Sequence, residues 1–485
     1  MGRANGRFLW ALLALSCRLD APSPPERDRV RVLIPTTYRA HIEALLSSGV
    51  RSFSFTSKDI DWVEMPAYAG RDAVFAPSLA ARFEDSDPDA DVLFLDLYRL
   101  GSFRPSWLTP FSDGAFANIE AEFRTAFLNA ARLGSAPAPA ADATADAPPQ
   151  GKIYAVPWSA QANFLYYRKD LVPNAPRSWA ELRTACEDIA NSGPPRGLRY
   201  CLLLTWESLE NDLYPALWSL GASGQTLDSE PVVDFATRLS SWFGEELTSG
   251  FRVLPAPRQA AEVGRDIQQR YLGGEAVFMI TWSNRYHFML ADALAAGRAM
   301  PPTGIAWVPP VAKGKTAYSN VGTWGWVVPA ARSRATPASA VRHERALRFV
   351  EEVSSPEAVR FLVETEGIIP ARRDVALPSE LDGVLDASVR KAIDGAPPER
   401  AAFRDRGADA FTHGFVRDAF RDIALCRTAV SRAIPSALVG DCVRYFEDCV
   451  AGDSPSTDCL RKAISRRLRA AQRNVQVVSP PVEPD

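Results

Sequence analysis

Apolar positions along this chain change their period from block to block, and the changes mark elements. Residues 29–34 read as a short strand, and residues 36–48 carry Ile42, Leu45 and Leu46 at helical spacing until Gly49 stops them. The run Asp91-Val92-Leu93-Phe94-Leu95-Asp96-Leu97 is apolar between bracketing acids, the pattern of a strand covered on both faces of a parallel sheet. Asp96 falls at its C-terminal end, where open α/β sheets bind ligands. Phe116, Ile119, Phe123 and Phe127 then predict a helix.

Residues 134–150 are dominated by Ala and Pro with little to bury, which predicts a mobile surface insertion. Strand-like order resumes at 151–158 and again at 164–167, and Ser178 with Glu181 three residues on is a capping-box helix start. Helical segments alternate with short apolar runs to about Val311, the α/β pattern. Two amphipathic helices follow at 346–353 and 357–363, with a break at Gly367 and Pro370. The remainder reads as mostly helical to about Arg473, with residues 473–485 as a disordered tail. No repeat of 20 to 50 residues occurs, which sets aside solenoids and propellers.

At 485 residues the chain suits two or three lobes with separate cores. Its 55 basic and 58 acidic side chains nearly cancel, to a formal charge of −3, so no nucleic-acid partner is expected. Arg3 and Arg7 precede the apolar run from Phe8 to Leu15, and Ser16-Cys17 follows, which reads as an export signal. The run is too short to span a bilayer. Leu13-Ala14-Leu15-Ser16-Cys17 resembles a lipobox, so residues 1–17 are expected to direct export, with Cys17 lipidated as the only membrane contact of a periplasmic or cell-envelope protein. The six other cysteines form an even set. An oxidising compartment favours a Cys186–Cys201 bridge plus two bridges among Cys426, Cys442, Cys449 and Cys459, whose pairing stays open.

Metal chemistry finds little support, because no Cys-x-x-Cys pair occurs and the four histidines have no ligand-like spacing. Asp85, Asp87, Asp89 and Asp91 alternate like a calcium loop, but Ala90 stands where glycine is required. Gly314-Lys315-Thr316 lacks the first glycine of a phosphate loop, and no Gly-x-Ser-x-Gly elbow appears. Neither a cofactor nor an enzyme activity is expected.

Five stretches in order resemble the maltose/trehalose-type extracellular solute-binding proteins, family 1, of bacterial ABC importers. They are Asp91–Asp96 followed by Trp107-Leu108-Thr109-Pro110-Phe111; Gly151-Lys152-Ile153-Tyr154-Ala155-Val156-Pro157-Trp158 with Leu165-Tyr166-Tyr167-Arg168-Lys169-Asp170-Leu171 and Ser178-Trp179-Ala180-Glu181-Leu182; Tyr271 through Trp282; Gly322-Thr323-Trp324-Gly325-Trp326; and Ala346 through Ser355-Pro356-Glu357 and Gly367 to Pro370-Ala371-Arg372. The resemblance covers roughly residues 30–375. It implies a two-lobed α/β fold of the periplasmic-binding-protein type II class, with the ligand cleft between lobes and an extra helical C-terminal segment. The implied division is residues 28–159 plus 325–375 for the N-lobe and 160–324 plus 376–472 for the C-lobe.

Implied too is a monomeric receptor that captures a small solute, a mono- or oligosaccharide, by hinge closure and passes it to the membrane subunits of an ABC importer. A sugar receptor needs hydroxyl partners and flat aromatic platforms. By motif position Asp96 becomes a hydroxyl acceptor, Trp282 and Trp324 platforms, and Trp158, Ser159, Gln161, Asn284 and Gly322 further contacts. Ser159 and Gln161 replace an aromatic hydroxyl and an aspartate of sugar-binding members. Two other readings stay open: a secreted carbohydrate-active enzyme, and a sensor accessory of the same fold with no transport role.

Overall fold

The computed structural model describes residues 29–50, 53–65, 90–112, 114–133, 151–206, 209–223, 226–256, 264–330, 337–381, 383–394, 401–405, 416, 418–424 and 457–478. The export segment with Cys17, the Ala/Pro-rich stretch 134–150, Asp85 to Asp89, and Cys426, Cys442 and Cys449 lie outside them.

Val- and Ile-rich β1 (Val30–Pro35) leads into helix α1 (Thr36–Ser47), and β2 (Ile60–Met65) and β3 (Val92–Asp96) pair with β1 in parallel. The short ribbon β4 (Arg132–Leu133) and β5 (Lys152–Ile153) precedes the longest strand, β6 (Val156–Arg168). Helices α2 (Trp179–Ser192), α3 (Leu209–Ser219) and α4 (Glu230–Trp242) alternate with β7 (Tyr200–Leu203), β8 (Glu246–Thr248) and β9 (Phe251–Arg252). Next come α5 (Gly264–Leu272), β10 (Ala276–Trp282), α6 (Arg285–Ala295), β11 (Thr303–Ala306) and β12 (Ala317–Val327). Helices α7 (Pro337–Val353) and α8 (Pro356–Glu366), β13 (Ile369–Pro370), α9 (Ala387–Ile393), β14 (Ala401–Asp405) and α10 (Thr457–Val478) complete the order.

One twelve-stranded sheet runs β2-β1-β3-β12-β6-β10-β7-β9-β8 along its main path. Two apolar cores lie along it. The first collects β1, β3, α7 and α8, through Phe94, Trp158, Trp326, Phe349 and Leu362 among others; the second collects α2, α3, α4 and α10 around Leu182, Leu217, Phe235 and Ile464. Strand β6 serves both. Side chains alternate across a strand, so Ala160, Ala162, Phe164 and Tyr166 enter the first core while Leu165 and Tyr167 enter the second.

Local signals set several boundaries. Ser178 Oγ accepts the Glu181 N–H at 3.1 Å, as the capping motif predicts, but the Glu181 carboxylate accepts from Arg177 N–H at 2.8 Å rather than from Ser178 itself. Ser355 caps α8 ahead of Pro356, and Gly367, at φ +61°, supplies the left-handed turn that ends it. Cys186 and Cys201 form the expected disulfide, tying α2 to β7. Cys459 is disulfide-bonded as well.

Four expectations need correction. The helix read from Phe116 to Phe127 is a series of short turns, because Phe123 turns extended and bridges to Arg372. The strands read at 151–158 and 164–167 are joined, since β6 continues through Ser159–Asn163. The C-terminal part is not all helical: residues Ala401–Asp405 form β14, which pairs in parallel with β12. Finally, α10 continues past Arg473 to Val478, into the stretch read as a disordered tail.

Candidate functional site

Register places the sequence-predicted residues relative to one another. On β12, Trp324 lies opposite both Asp96 of β3 and Ser159 of β6, and Gly322 lies opposite Gln161. On β10, Trp282 lies opposite Asn163 of β6. Directly paired residues share a sheet face, and residues two apart on one strand share it too. Asp96, Ser159, Gln161, Trp282, Gly322 and Trp324 therefore meet on one face, where β3, β12, β6 and β10 lie side by side.

The contact between Gly322 and Trp282 is close. A β-carbon at Gly322 would stand 3.2 Å from Trp282 Cη2 and 3.3 Å from Cζ3, so the absence of a side chain lets the indole lie across β12. Tyr166 fixes the same tryptophan from the backbone, its hydroxyl donating to the Trp282 carbonyl at 2.9 Å and the Ser283 carbonyl at 3.0 Å. Burial pushes that phenol's pKa well up, so it stays a donor. Trp324 stacks on Phe94 with centroids 5.4 Å apart and packs against Tyr38 of α1 at 4.6 Å. Both Trp282 and Trp324 are half-buried. Asp96 is 4% exposed, and its side chain does not cap the turn that follows β3.

Two of the predicted residues sit differently. The register shift between Trp324 and Gly325 passes from Ser159 to Pro157 on β6, leaving Trp158 as the extra residue of a bulge. Trp158 turns into the first core, 1% exposed, with its ring 5.2 Å from Phe94 and 5.6 Å from Trp326 and its N–H donating to the Val353 carbonyl at 2.7 Å. Asn284 is buried at the start of α6, just beyond Trp282. Of the residues named only as secondary candidates, Tyr98 lies beneath the Arg99 guanidinium at 5.2 Å, and Arg285 opens α6.

Sequence reasoning missed a polar cluster from α3. All eleven residues of this helix are buried, including Glu210, Asn211 and Asp212 in its first turn. Asp212 accepts from Asn163 Nδ2 at 3.0 Å and from the Thr205 backbone N–H at 2.6 Å. Asn320 of β12 donates to Asn211 Oδ1 at 3.1 Å, and Ser319 Oγ donates to the Asn163 carbonyl. Burial pushes the Asp212 pKa well above its ordinary value; hydrogen bonding from the Thr205 backbone N–H and side chain works against the rise, and the nearby Glu210 charge adds to it. Two donors on its two oxygens make it a structural acceptor, holding α3 against this same face at Asn163 and Asn320.

Three polar atoms on or beside that face, Ser159 Oγ, Asn163 Oδ1 and Asn320 Oδ1, are buried with no hydrogen-bond partner among the described residues. Such atoms cost about 1–3 kcal/mol each when unsatisfied, and they cluster at functional sites. Acceptors and hydroxyls beside two half-covered indoles match the chemistry of a polyhydroxylated guest. A cavity of about 460 Å³ lies elsewhere, lined by His287, Leu290, Leu294, Arg360, Val363 and Glu380 among others, and none of the predicted residues borders it. Among the described residues no group of His, Cys, Asp and Glu is arranged to hold a metal ion, and no helix is long and apolar enough to cross a membrane.

A family model of bacterial extracellular solute-binding proteins matches residues 88–384. Among solved structures the chain is similar to maltose-bound MalE3 of T. maritima, at 18% identity and a TM-score of 0.58, over 91% of this chain and 99% of that one. The GacH receptor of Streptomyces glaucescens, solved unliganded and with acarbose and an acarbose homolog, is also 18% identical, with a TM-score of 0.53 over 92% and 98% of the two chains. The maltose/maltodextrin-binding domain MalE of Bdellovibrio bacteriovorus, bound to maltotriose, is 14% identical, with a TM-score of 0.53 over 92% and 99%. The architecture is the two-lobed α/β fold of these proteins.

Proposed function

The chain belongs to the bacterial extracellular solute-binding proteins, and from that premise we propose that it captures a sugar on the sheet face where β3, β12, β6 and β10 converge. Asp96 and Gln161 bind hydroxyls there, Ser159 adds a further donor and acceptor, and Trp282 and Trp324 cover the apolar C–H faces of the rings. The lobes close over the guest by bending at β6 and β12, where the lobe boundaries fall, with 28–159 and 325–375 moving against 160–324 and 376–472. A guest favours closure because it touches both bodies at once. The closed receptor then delivers the sugar to the membrane subunits of an ABC importer as an exported monomer held by a lipid on Cys17.

The observation that carries this reading is the gathering of Asp96, Gln161, Trp282, Gly322 and Trp324 on one face by strand register alone. The bonding of Asp212 supports binding over catalysis, since both its oxygens are already occupied by donors. Thermal-shift screening against mono- and oligosaccharides tests the reading, with small-angle scattering on any hit. A ligand at a hundred times its dissociation constant should add about 2.7 kcal/mol to stability, and the scattering should show contraction. Stabilisation by no sugar, or turnover of the one that binds, would overturn it.

A further inference from the structure

Two histidine–glutamate pairs meet where α1, α6 and the end of α8 converge. His41 of α1 stands 3.2 Å from Glu366, the last residue of α8, and His287 of α6 stands 2.7 Å from Glu380, each measured from a ring nitrogen to a carboxylate oxygen. None of the four side chains is more than 32% exposed, so salt and water screen them less than surface charges. The pairs touch through Gly367, where a β-carbon would collide with Cβ and Cγ of His287. Only a residue without a side chain lets α6 lie so close to the turn that ends α8.

This meeting falls on the boundary between the two bodies that close over the guest. His41 and Glu366 belong to the first, residues 28–159 and 325–375; His287 and Glu380 belong to the second. Two residues past Gly367, Ile369 pairs with Ala160 of β6, where the boundary crosses that strand. The candidate face lies alongside. Tyr38, one turn before His41, packs against the His41 ring at 5.9 Å and against Trp324 at 4.6 Å, and α6 starts three residues beyond Trp282.

Charge decides what the contact does. Arg360 and Glu364 of α8 share a cavity with His287 and Glu380, Tyr286 stands near Glu380, and Arg285 opens the same helix. Beside His41 on α1, Arg39 and Glu43 pair with each other at 3.0 Å. Burial raises the Glu366 pKa, and the charges of His41 and His287 draw it back down. Of the side-chain types gathered here only imidazole ordinarily changes charge between pH 5 and 8. When protonated, His287 attracts Glu366 across the boundary. When neutral, it leaves Glu366 and Glu380, one on each body, as like charges.

We propose that these pairs form a pH-dependent latch between the two bodies, engaged on the acid side of neutrality and released as pH rises through the imidazole range. The sign is that of histidines that gain a partner, whose contribution is present at low pH and lost as they deprotonate. The proposal rests on the closing-body reading given above: an engaged latch holds α6 against α8, favours the closed form, and so raises affinity for the guest.

The test follows the guest-free full chain by small-angle scattering at about pH 5.5 and about pH 8, on either side of the imidazole range. The radius of gyration should be smaller at the lower pH. That difference should vanish in the double variant His41→Gln/His287→Gln, which keeps a hydrogen-bonding group at each position but cannot take up charge. Glu366→Gln removes the carboxylate that His287 attracts and should reduce the difference too, which serves if circular dichroism shows the double variant unfolded. For a sugar found by thermal-shift screening, affinity should fall about tenfold from the lower to the higher pH in the parent, within the usual range for coupled sites, and stay level in the double variant. A parent radius that does not change with pH, a change kept in full by the folded variants, or a parent affinity equal at both pH values would overturn the latch. A pH-dependent radius in a parent that binds no sugar would support the latch and overturn the sugar reading instead.

Discussion

The middle of one sheet face differs from its two ends. At one end Phe94, Trp326 and Trp158 form an aromatic cluster against Phe349 of α7, and at the other Phe278, Ile280, Leu165 and Tyr167 are sealed by helices of the second core. Between them the same surface carries Asp96, Ser159, Gln161, Asn163 and Asn320 with two half-buried indoles. The strands are continuous throughout, so the backbone does not distinguish the regions. What changes is the cover: Asn163 and Asn320 bond to Asp212 and Asn211 of α3, Asp96 and Ser159 are buried, and Gln161 and the two indoles are half-buried. Candidate binding residues in this fold are those where a strand pattern turns polar while its hydrogen-bond ladder continues.

Mutations at the ends should act on folding, and mutations in the middle on binding. The largest effect is expected at the first end: Trp158→Ala removes a fully buried indole and should cost about 3–5 kcal/mol in chemical denaturation, with ligand affinity kept well below the melting temperature. A change in affinity without a loss of stability would place Trp158 in the site instead. At the second end, replacing Cys186 and Cys201 by serine opens a loop with a separation of 15 residues. Loops of that length are stabilised by about 3 kcal/mol when closed, and the same denaturation experiment should show that loss.

In the middle, Gly322→Val forces the Trp282 indole off β12. Sugar affinity should fall at least about tenfold by calorimetry, with a smaller stability cost of about 1–3 kcal/mol from overpacking. The smallest expected effect is a pH slope at Asp212. Its native pKa lies above the unfolded value of about 3.9, so the native state holds more protons from about pH 4 up to that raised value. Stability attached to this group is therefore present below about pH 4 and is lost as pH rises through the native pKa. Denaturation across that range should show a shallower decline in Asp212→Asn than in the parent.

Much of this architecture was legible before any coordinates. The acid-ended run to Asp96 is visible in composition and order, and the family resemblance adds the glycine and tryptophans around Gly322 and Trp324 and the strand ending in Trp282. Strand β6 was legible only at its ends, because Ser159, Gln161 and Asn163 alternate with alanines and look like an interruption rather than the polar side of a continuing strand. Trp158 misleads for a related reason: a one-residue bulge sends it into the core, and a bulge leaves no mark in the spacing. Glu210, Asn211 and Asp212 were missed because acids in a first helical turn usually face water and favour the helix dipole. Their burial comes from β6 and β12 packing over α3, which is a tertiary fact.

The central claim is that the polar middle of this face is where the guest sits. A crystal structure of the chain with its most stabilising sugar tests it most directly. The account predicts sugar rings against Trp282 and Trp324 with hydroxyls bonded to Asp96 and Gln161. A sugar bound instead in the cavity between α6 and α8, leaving those four residues without a contact, would contradict it.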